Sequence, residues 1–485
     1  MRARFWSLLA LAGCARAPSA DELAQRAADR VAAELWSPVR VAGTTPSPYR
    51  LVDRMARYKV PGVSIAVVDS GRLVWARGFG LAAADRPDSV TPSTRFQAAS
   101  ISKPVAATAM LRLVEQGVLN LDQDVNSYLT SWKVPENRFT SEHKVTLRRL
   151  ASHSAGLTVH GFPGYRPGDS IPTVPEILDG RRPANTGPVR VDTVPGSRWR
   201  YSGGGTTVMQ LVVMDVTKEP FEATAKRLVL DPAGMNNSGY DQPLPAALES
   251  VAAAGHGADG SVIPGRAHVY PELAAAGLWT TPTDLLKWAM AIAASRRNAE
   301  GGLLGRDMAR EMLTKQKESS GLGPMLQGTR SAFRFSHGGS NEGFKAELLY
   351  FPETGQGAAV MANGEQGGDL ISEILQGIAA VYQWPDFGPK EITVLAMDTA
   401  ALDKVAGSYE LKGEAFQFEF KISREGSRLT ADLVGRGSQG ELAFTALDTL
   451  ISLDNGNVFA TVRDAEGTVT AIAIGGLRMV RKERK

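Results

Sequence analysis

Apolar and polar positions divide this chain into regions with different periodicities. Val63-Ser-Ile-Ala-Val-Val68 and Leu73-Val-Trp-Ala-Arg77 flank Asp69-Ser-Gly-Arg72. Two β-rich runs around a glycine-containing turn predict a hairpin. Val105 to Gln116 is apolar and alanine-rich on nearly every face and stops at Gly117, which predicts a helix buried all round. Thr146 and Thr283 are candidate caps for helices over Leu147–His153 and Asp284–Ser295. Arg334–Phe335 and Ala346–Met361 are strand-like, the second carrying the turn Pro352-Glu-Thr-Gly355. Strands at both ends of a region with a helical, loop-rich middle predict an α/β architecture. Its antiparallel sheet is built from both chain ends and flanked by helices, with a helical insertion between them.

Other boundaries follow from changes of pattern. Residues 21–44 read as a helical leader that ends in a Pro-rich loop, and residues 45–385 as the main domain. Residues 386–401, after Trp384-Pro-Asp-Phe-Gly-Pro389, read as a linker. In residues 402–485, Phe416, Phe418, Phe420 and Ile422 alternate with Gln417, Glu419 and Lys421. Further short runs follow at Arg428–Leu433, Leu442–Ala446, Val458–Arg463 and Val469–Ile474, predicting a small all-β domain. The basic stretch from Arg478 to Lys485 reads as a solvated chain end.

The first 20 residues have the pattern of an export signal. Met1-Arg-Ala-Arg4 is basic, and Phe5 to Ala15 is apolar but too short to span a bilayer. Two processing readings stay open. Leu11-Ala-Gly-Cys14 matches a lipobox, which would leave Cys14 lipidated and the protein anchored to a bacterial membrane; Ala15-Arg-Ala17 matches ordinary cleavage, which would leave it periplasmic. Cys14 is the only cysteine in 485 residues, so no intrachain disulfide forms. Hydrophobic residues make up 43% and charged residues 22%, the profile of a globular enzyme. The net charge of +3 equals the three arginines of the first 20 residues, so the body is neutral and has no electrostatic footprint for nucleic acid.

Ser100-Ile-Ser-Lys103 matches S-x-x-K at the start of the predicted buried helix. A serine hydroxyl is a weak nucleophile that needs an adjacent base. Positions i and i+3 of a helix share a face, so the Lys103 amine can reach the Ser100 hydroxyl. Pro104 is tolerated in a first turn, where its missing N–H has no partner to lose. A second copy, Ser141-Glu-His-Lys144, precedes the candidate cap Thr146 and lies in a loop without helical spacing.

Further along are Tyr201-Ser-Gly203, before an apolar helix, and His337-Gly-Gly339, opening the late strand pair. This order of motifs resembles the superfamily of class C serine β-lactamases, D-aminopeptidases and family VIII carboxylesterases. Leu150-Ala-Ser-His-Ser-Ala-Gly-Leu157, Ala276-Gly-Leu-Trp-Thr-Thr-Pro-Thr-Asp284 and Ser336-His-Gly-Gly-Ser-Asn-Glu-Gly-Phe344 support it. The resemblance implies a β-lactamase/transpeptidase-like fold, followed by a domain similar to the lipocalin-like one appended to some of these hydrolases. It implies that Ser100 is acylated and that Lys103 and Tyr201 share general-base and general-acid work; which of them takes the proton stays open. It also implies an oxyanion hole from the backbone N–H groups of Ser100 and Ser340, with Gly338 and Gly339 allowing close approach. No cofactor is implied, and the expected partner is a small ester, amide or peptide.

Two positions depart from the family pattern. Gly203 stands where Asn usually ends the Tyr motif, and His337 replaces a lysine. Both changes favour an ester, or a substrate with a free amine, over strong β-lactam turnover. They also keep alive a second class of function, a penicillin-binding or sensor protein that is acylated without turning over. His143, His153 and His160 fit no compact zinc spacing, so no metal site is expected.

Overall fold

The structure, a computed structural model, describes residues 18–412, 417–434, 437–474 and 477–482. Cys14, the expected export signal and Phe416 lie outside the described residues. Among the described residues no helix is long and apolar enough to cross a membrane.

Helix α1, Ala20–Ala33, starts at a capping box in which Ser19 and Glu22 satisfy each other's backbone N–H. It is followed by a short strand, Val39–Val41, pairing in parallel with Lys390–Ile392. The leader is therefore helical only to Ala33, and part of the expected linker is paired.

Six strands form the central sheet: β1 Gly62–Asp69, β2 Arg72–Gly80, β3 Met325–Gln327, β4 Arg334–Asn341, β5 Phe344–Phe351 and β6 Gln356–Ala362. Their order is β2-β1-β6-β5-β4-β3, and every pairing is antiparallel. The β1–β2 turn, Ser70-Gly71, has both residues at positive φ, as a two-residue type I′ hairpin requires. Seven of the eight residues of β1 are buried because both faces of the sheet are covered. Ala66 and Val68 face the main core. Val63, Ile65 and Val67 face a second core, which includes Leu370, Ile374 and Ile378.

The insertion between β2 and β3 holds most of the helices. The helix α2, Ser102–Glu115, has eleven buried residues and follows directly on a 3₁₀ turn, Ala99–Ile101. Also here are α3 Leu147–Ala151, capped by Thr146; α4 Gly203–Thr217, capped by Ser202; α5 Leu273–Ala276; and α6 Pro282–Arg297. The cap of α6 is Thr281, two residues before the expected Thr283, because Pro282 takes the first helical position. The helix α7, Gly367–Tyr382, packs on the opposite face of the sheet.

The C-terminal strands close into an eight-stranded antiparallel barrel: β7 Gly407–Lys412, β8 Gln417–Glu425, β9 Arg428–Leu433, β10 Gly437–Ala446, β11 Thr449–Ser452, β12 Val458–Arg463, β13 Val469–Ile474 and β14 Leu477–Arg481. Tyr409, Phe420, Ile422, Leu429, Phe444, Phe459 and Ile472 fill it. The described part of the stretch expected as a solvated tail instead closes the barrel: β14 pairs with β7 and β13, Met479 is buried, and Arg481 donates to the carbonyls of Lys404 and Val469 at 2.7 and 2.9 Å. The barrel's Leu453–Asn455 turn docks on the main domain. Ser37 Oγ donates to Leu453 O at 3.1 Å, Arg57 reaches Asp454 at 3.3 Å, and Asn455 Nδ2 donates to Asp369 Oδ1 at 3.1 Å.

Candidate active site

The Ser100 side chain sits in the 3₁₀ turn that leads into α2. Ala99, just before it, holds φ at +50°. That left-handed conformation costs an alanine about 1–2 kcal/mol. His153, whose ring packs on Tyr201, is also a non-glycine residue at positive φ. One turn of helix after Ser100, Lys103 Nζ lies 2.9 Å from Ser100 Oγ and donates to Ala275 O at 2.7 Å. Lys103 is 4% exposed, and burial lowers its amine from 10.5 to about 7.

Tyr201 stands on the other side of Lys103, whose Nζ is 5.0 Å from the ring centroid. Its ring is packed between His153 at 4.3 Å and His160 at 4.9 Å, with Trp199 and His337 beyond. Burial pushes the Tyr201 phenol well above 10, and a hydrogen bond with Ser100 pulls the other way. The lysine amine is therefore the group that can be neutral near pH 7 and accept the serine proton, while the phenol keeps its proton and can donate it. His153 is not a spare base. Its Nδ1 accepts from Ser202 N at 3.3 Å, and burial, then Lys103, lowers it well below 6.5.

His337 closes the site from β4. Its Nδ1 lies 2.7 Å from Gly338 O. A carbonyl only accepts, so Nδ1 carries the proton and Nε2 presents a lone pair. Nε2 is buried and has no partner among the described residues. Burial, then Lys103, lowers His337 to about 4, so the ring is neutral at pH 7.

β3 pairs with β4 only as far as Ser336, which leaves the rest of that edge open. Alternation along the β4–β5 ladder, closed by the pair Asn341–Phe344, turns the N–H of Ser340 toward the open edge. At Gly339 a Cβ would lie 2.2 Å from Ala98 O and 3.3 Å from Ala99 Cβ. Only glycine lets β4 pass this close to the nucleophile turn. The opposite side of the cleft explains the missing Asn. A Cβ at Gly203 already sits 3.0 Å from the Phe162 ring and 3.1 Å from His160 O, so the 160–162 loop fills the space a longer side chain needs.

The structure thus brings together Ser100, Lys103, Tyr201, His337 and the Gly338-Gly339-Ser340 stretch. It separates the second S-x-x-K copy, whose Lys144 pairs with Glu136 at 2.9 Å in a loop. The carbonyl of Ala275, which aims Lys103, was not expected. Backbone acceptors leave no mark in a sequence.

Comparison with known proteins gives the family. The Beta-lactamase family model matches residues 50–381. A putative penicillin-binding protein of Bacillus subtilis, PbpX, is 25% identical over 64% of this chain and 72% of its own. Esterase EstB of Burkholderia gladioli is 29% identical over 49% of this chain and 67% of its own. Among solved structures, the octameric penicillin-binding protein homologue from Pyrococcus abyssi superposes with a TM-score of 0.60 at 23% identity, covering 89% of this chain and 98% of that one. The β-lactamase/D-alanine carboxypeptidase of Yersinia pestis gives 0.51 at 19% identity, covering 67% and 97%. With the family model matched across the whole main domain and the motif residues converging on one cleft, this chain belongs to the beta-lactamase family of serine hydrolases.

Proposed function

We propose that the protein hydrolyses a small ester or amide through an acyl-enzyme on Ser100. The observation that carries this is the 2.9 Å contact between Ser100 Oγ and a Lys103 amine that burial has brought to about 7. In the proposed cycle, neutral Lys103 accepts the serine proton as Oγ adds to the substrate carbonyl. The backbone N–H groups of Ser100 and Ser340 receive the oxyanion. Tyr201 relays a proton to the leaving group, and water then repeats the addition to release the acid.

The identity of the wall residues narrows the substrate. Where a lysine would offer a fixed cation to a carboxylate, His337 is neutral and buried. The missing cation supports a plain ester, or an acyl donor with a free amine, over a β-lactam or a peptide with a free carboxylate. EstB is an esterase and the Yersinia pestis protein a β-lactamase/D-alanine carboxypeptidase, so both leaving-group types occur among proteins of this fold. The test is a panel of p-nitrophenyl butyrate, D-alanine p-nitroanilide and a chromogenic cephalosporin. Sustained turnover of the first or second, with slow or no turnover of the third, is expected. A burst that stops at one equivalent on every substrate would instead support a sensor that is acylated without release, the reading favoured by Gly203 and His337 if they impair deacylation.

A further inference from the structure

The two proposed oxyanion donors belong to segments that lie in no common sheet. Ser100 follows the two-residue strand Phe96–Gln97, which pairs with Trp279–Thr280. Ser340 lies in β4 of the large sheet. The carbonyl oxygen of a substrate must meet both N–H groups, so something has to set the distance between these segments. Close packing at Gly339 prevents them from moving together, but does not prevent them from moving apart.

One side chain spans the gap. Asn341, next to Ser340 and 5% exposed, donates from Nδ2 to Gln97 Oε1 at 2.8 Å and to Ala276 O at 3.2 Å. Gln97 is fully buried, and its Nε2 donates to His268 O at 2.8 Å. Its amide is therefore oriented, with the oxygen toward Asn341. Ala276 is the neighbour of Ala275, whose carbonyl holds Lys103. Two residues further on, Leu278 accepts from Ala98 N at 2.8 Å and donates to Ser102 Oγ at 3.0 Å, and Ser102 Oγ donates to Ala99 O at 2.5 Å. The segment from Leu273 to Leu278 thus holds the nucleophile turn, the lysine and, through Asn341, the oxyanion strand.

We propose that Asn341, with Gln97, is a positioning pair that fixes the separation of the Ser100 and Ser340 N–H groups and ties it to the carbonyl framework that aims Lys103. This rests on the acyl-enzyme reading above. Neither residue touches substrate. A buried amide pair is suited to the task because its hydrogen bonds are directional and leaving either partner unpaired in the interior is costly. Loss of the pair leaves binding of the ground state intact and weakens the contacts made to the tetrahedral oxygen.

The experiment uses the full chain and the variants Asn341→Leu, Gln97→Met and their double. Its readouts are kcat and KM on p-nitrophenyl butyrate, and affinity for phenylboronic acid, which forms a tetrahedral adduct on an active serine. Asn341→Leu is expected to lower kcat by about 10- to 100-fold, part of what a whole oxyanion donor contributes, with KM within about threefold. Boronate affinity is expected to fall by the same factor, and the double variant to be no worse than the poorer single. A rise in KM at unchanged kcat, unchanged boronate affinity, or additive losses would overturn the proposal. If Asn341→Leu does not fold, Gln97→Met carries the same expectations alone. Labelling of the wild type by a fluorophosphonate separates the two readings. An unlabelled Ser100 removes the acyl-enzyme reading, whereas a labelled Ser100 with variants as fast as the wild type removes only the positioning pair.

Discussion

Cysteine at position 103, alkylated with bromoethylamine, gives γ-thialysine, a side chain of nearly lysine's length whose amine is less basic. The chain's only natural cysteine, Cys14, is first replaced by serine. In the native protein burial brings the Lys103 amine from 10.5 to about 7. That fall is worth about 5 kcal/mol, and it arises because the cation at a 4% exposed position has given up nearly all its water. If neutral Lys103 is the base, kcat/KM should drop about tenfold per pH unit below 7, with about a tenth of the enzyme active at pH 6 and about nine-tenths at pH 8. Of the other groups around the cleft, the buried carboxyls of Glu347, beside Gly338, and Glu272 are raised to about 8, so the shift in the thialysine enzyme and not the position of the limb assigns the base. His337 lies at about 4, His153 well below 6.5, His160 below 6.5, and Tyr201 above 10. In the thialysine enzyme the limb should move to lower pH, and Lys103→Ala should remove most activity at every pH. A limb in the same place for both enzymes, or one near 10, would refute the assignment of the base.

Gly339→Ala forces a Cβ to within 2.2 Å of Ala98 O, so β4 and the nucleophile turn must separate by about an ångström to reach ordinary contact. The predicted result is a kcat loss of about 10²–10³-fold, the value of one oxyanion donor, with a folded protein by circular dichroism. Tyr201→Phe keeps the ring between His153 and His160 but removes the proton donor; amides, with their poor leaving groups, should lose more activity than p-nitrophenyl esters, as paired kinetics will show. Arg54, 7% exposed, is hydrogen-bonded to fully buried Glu373 at 2.7 Å, on the face of the sheet away from Ser100. Arg54→Met should cost about 3–5 kcal/mol in denaturant unfolding by stranding the carboxylate, while the folded fraction keeps its kcat.

How far the sequence carries can be argued from single residues. The first S-x-x-K was distinguishable from the second because only it opens a helix apolar on all sides, and periodicity reports that directly. The sheet built from both chain ends was legible because β1 is rich in β-branched residues, β6 in alanine, and β2 and β5 are apolar runs bounded by turn residues. Strands β7, β11 and β14 were not. β11 and β14 have only four and five residues, and in β14 Arg478 and Val480 are exposed while only Met479 is fully buried, so the composition resembles a tail. The cap of α6 was misplaced by two residues, although Pro282, at home in a first turn, marked Thr281. The contacts that align the site were hidden for a different reason. Asn341 and Gln97 are 244 positions apart, and the Ala275 carbonyl that holds Lys103 has no side chain to announce it. Motifs name the reacting groups, but long-range backbone contacts place them.

The central claim is that Ser100 becomes acylated. Rapid acid quench of the wild type with p-nitrophenyl butyrate, followed by peptide mass spectrometry, measures it directly. The account predicts one butyryl group on the peptide containing Ser100, formed within the first turnover, and neither adduct nor steady hydrolysis in Ser100→Ala. An adduct on another residue, or a Ser100→Ala protein that turns over like the wild type, would contradict it.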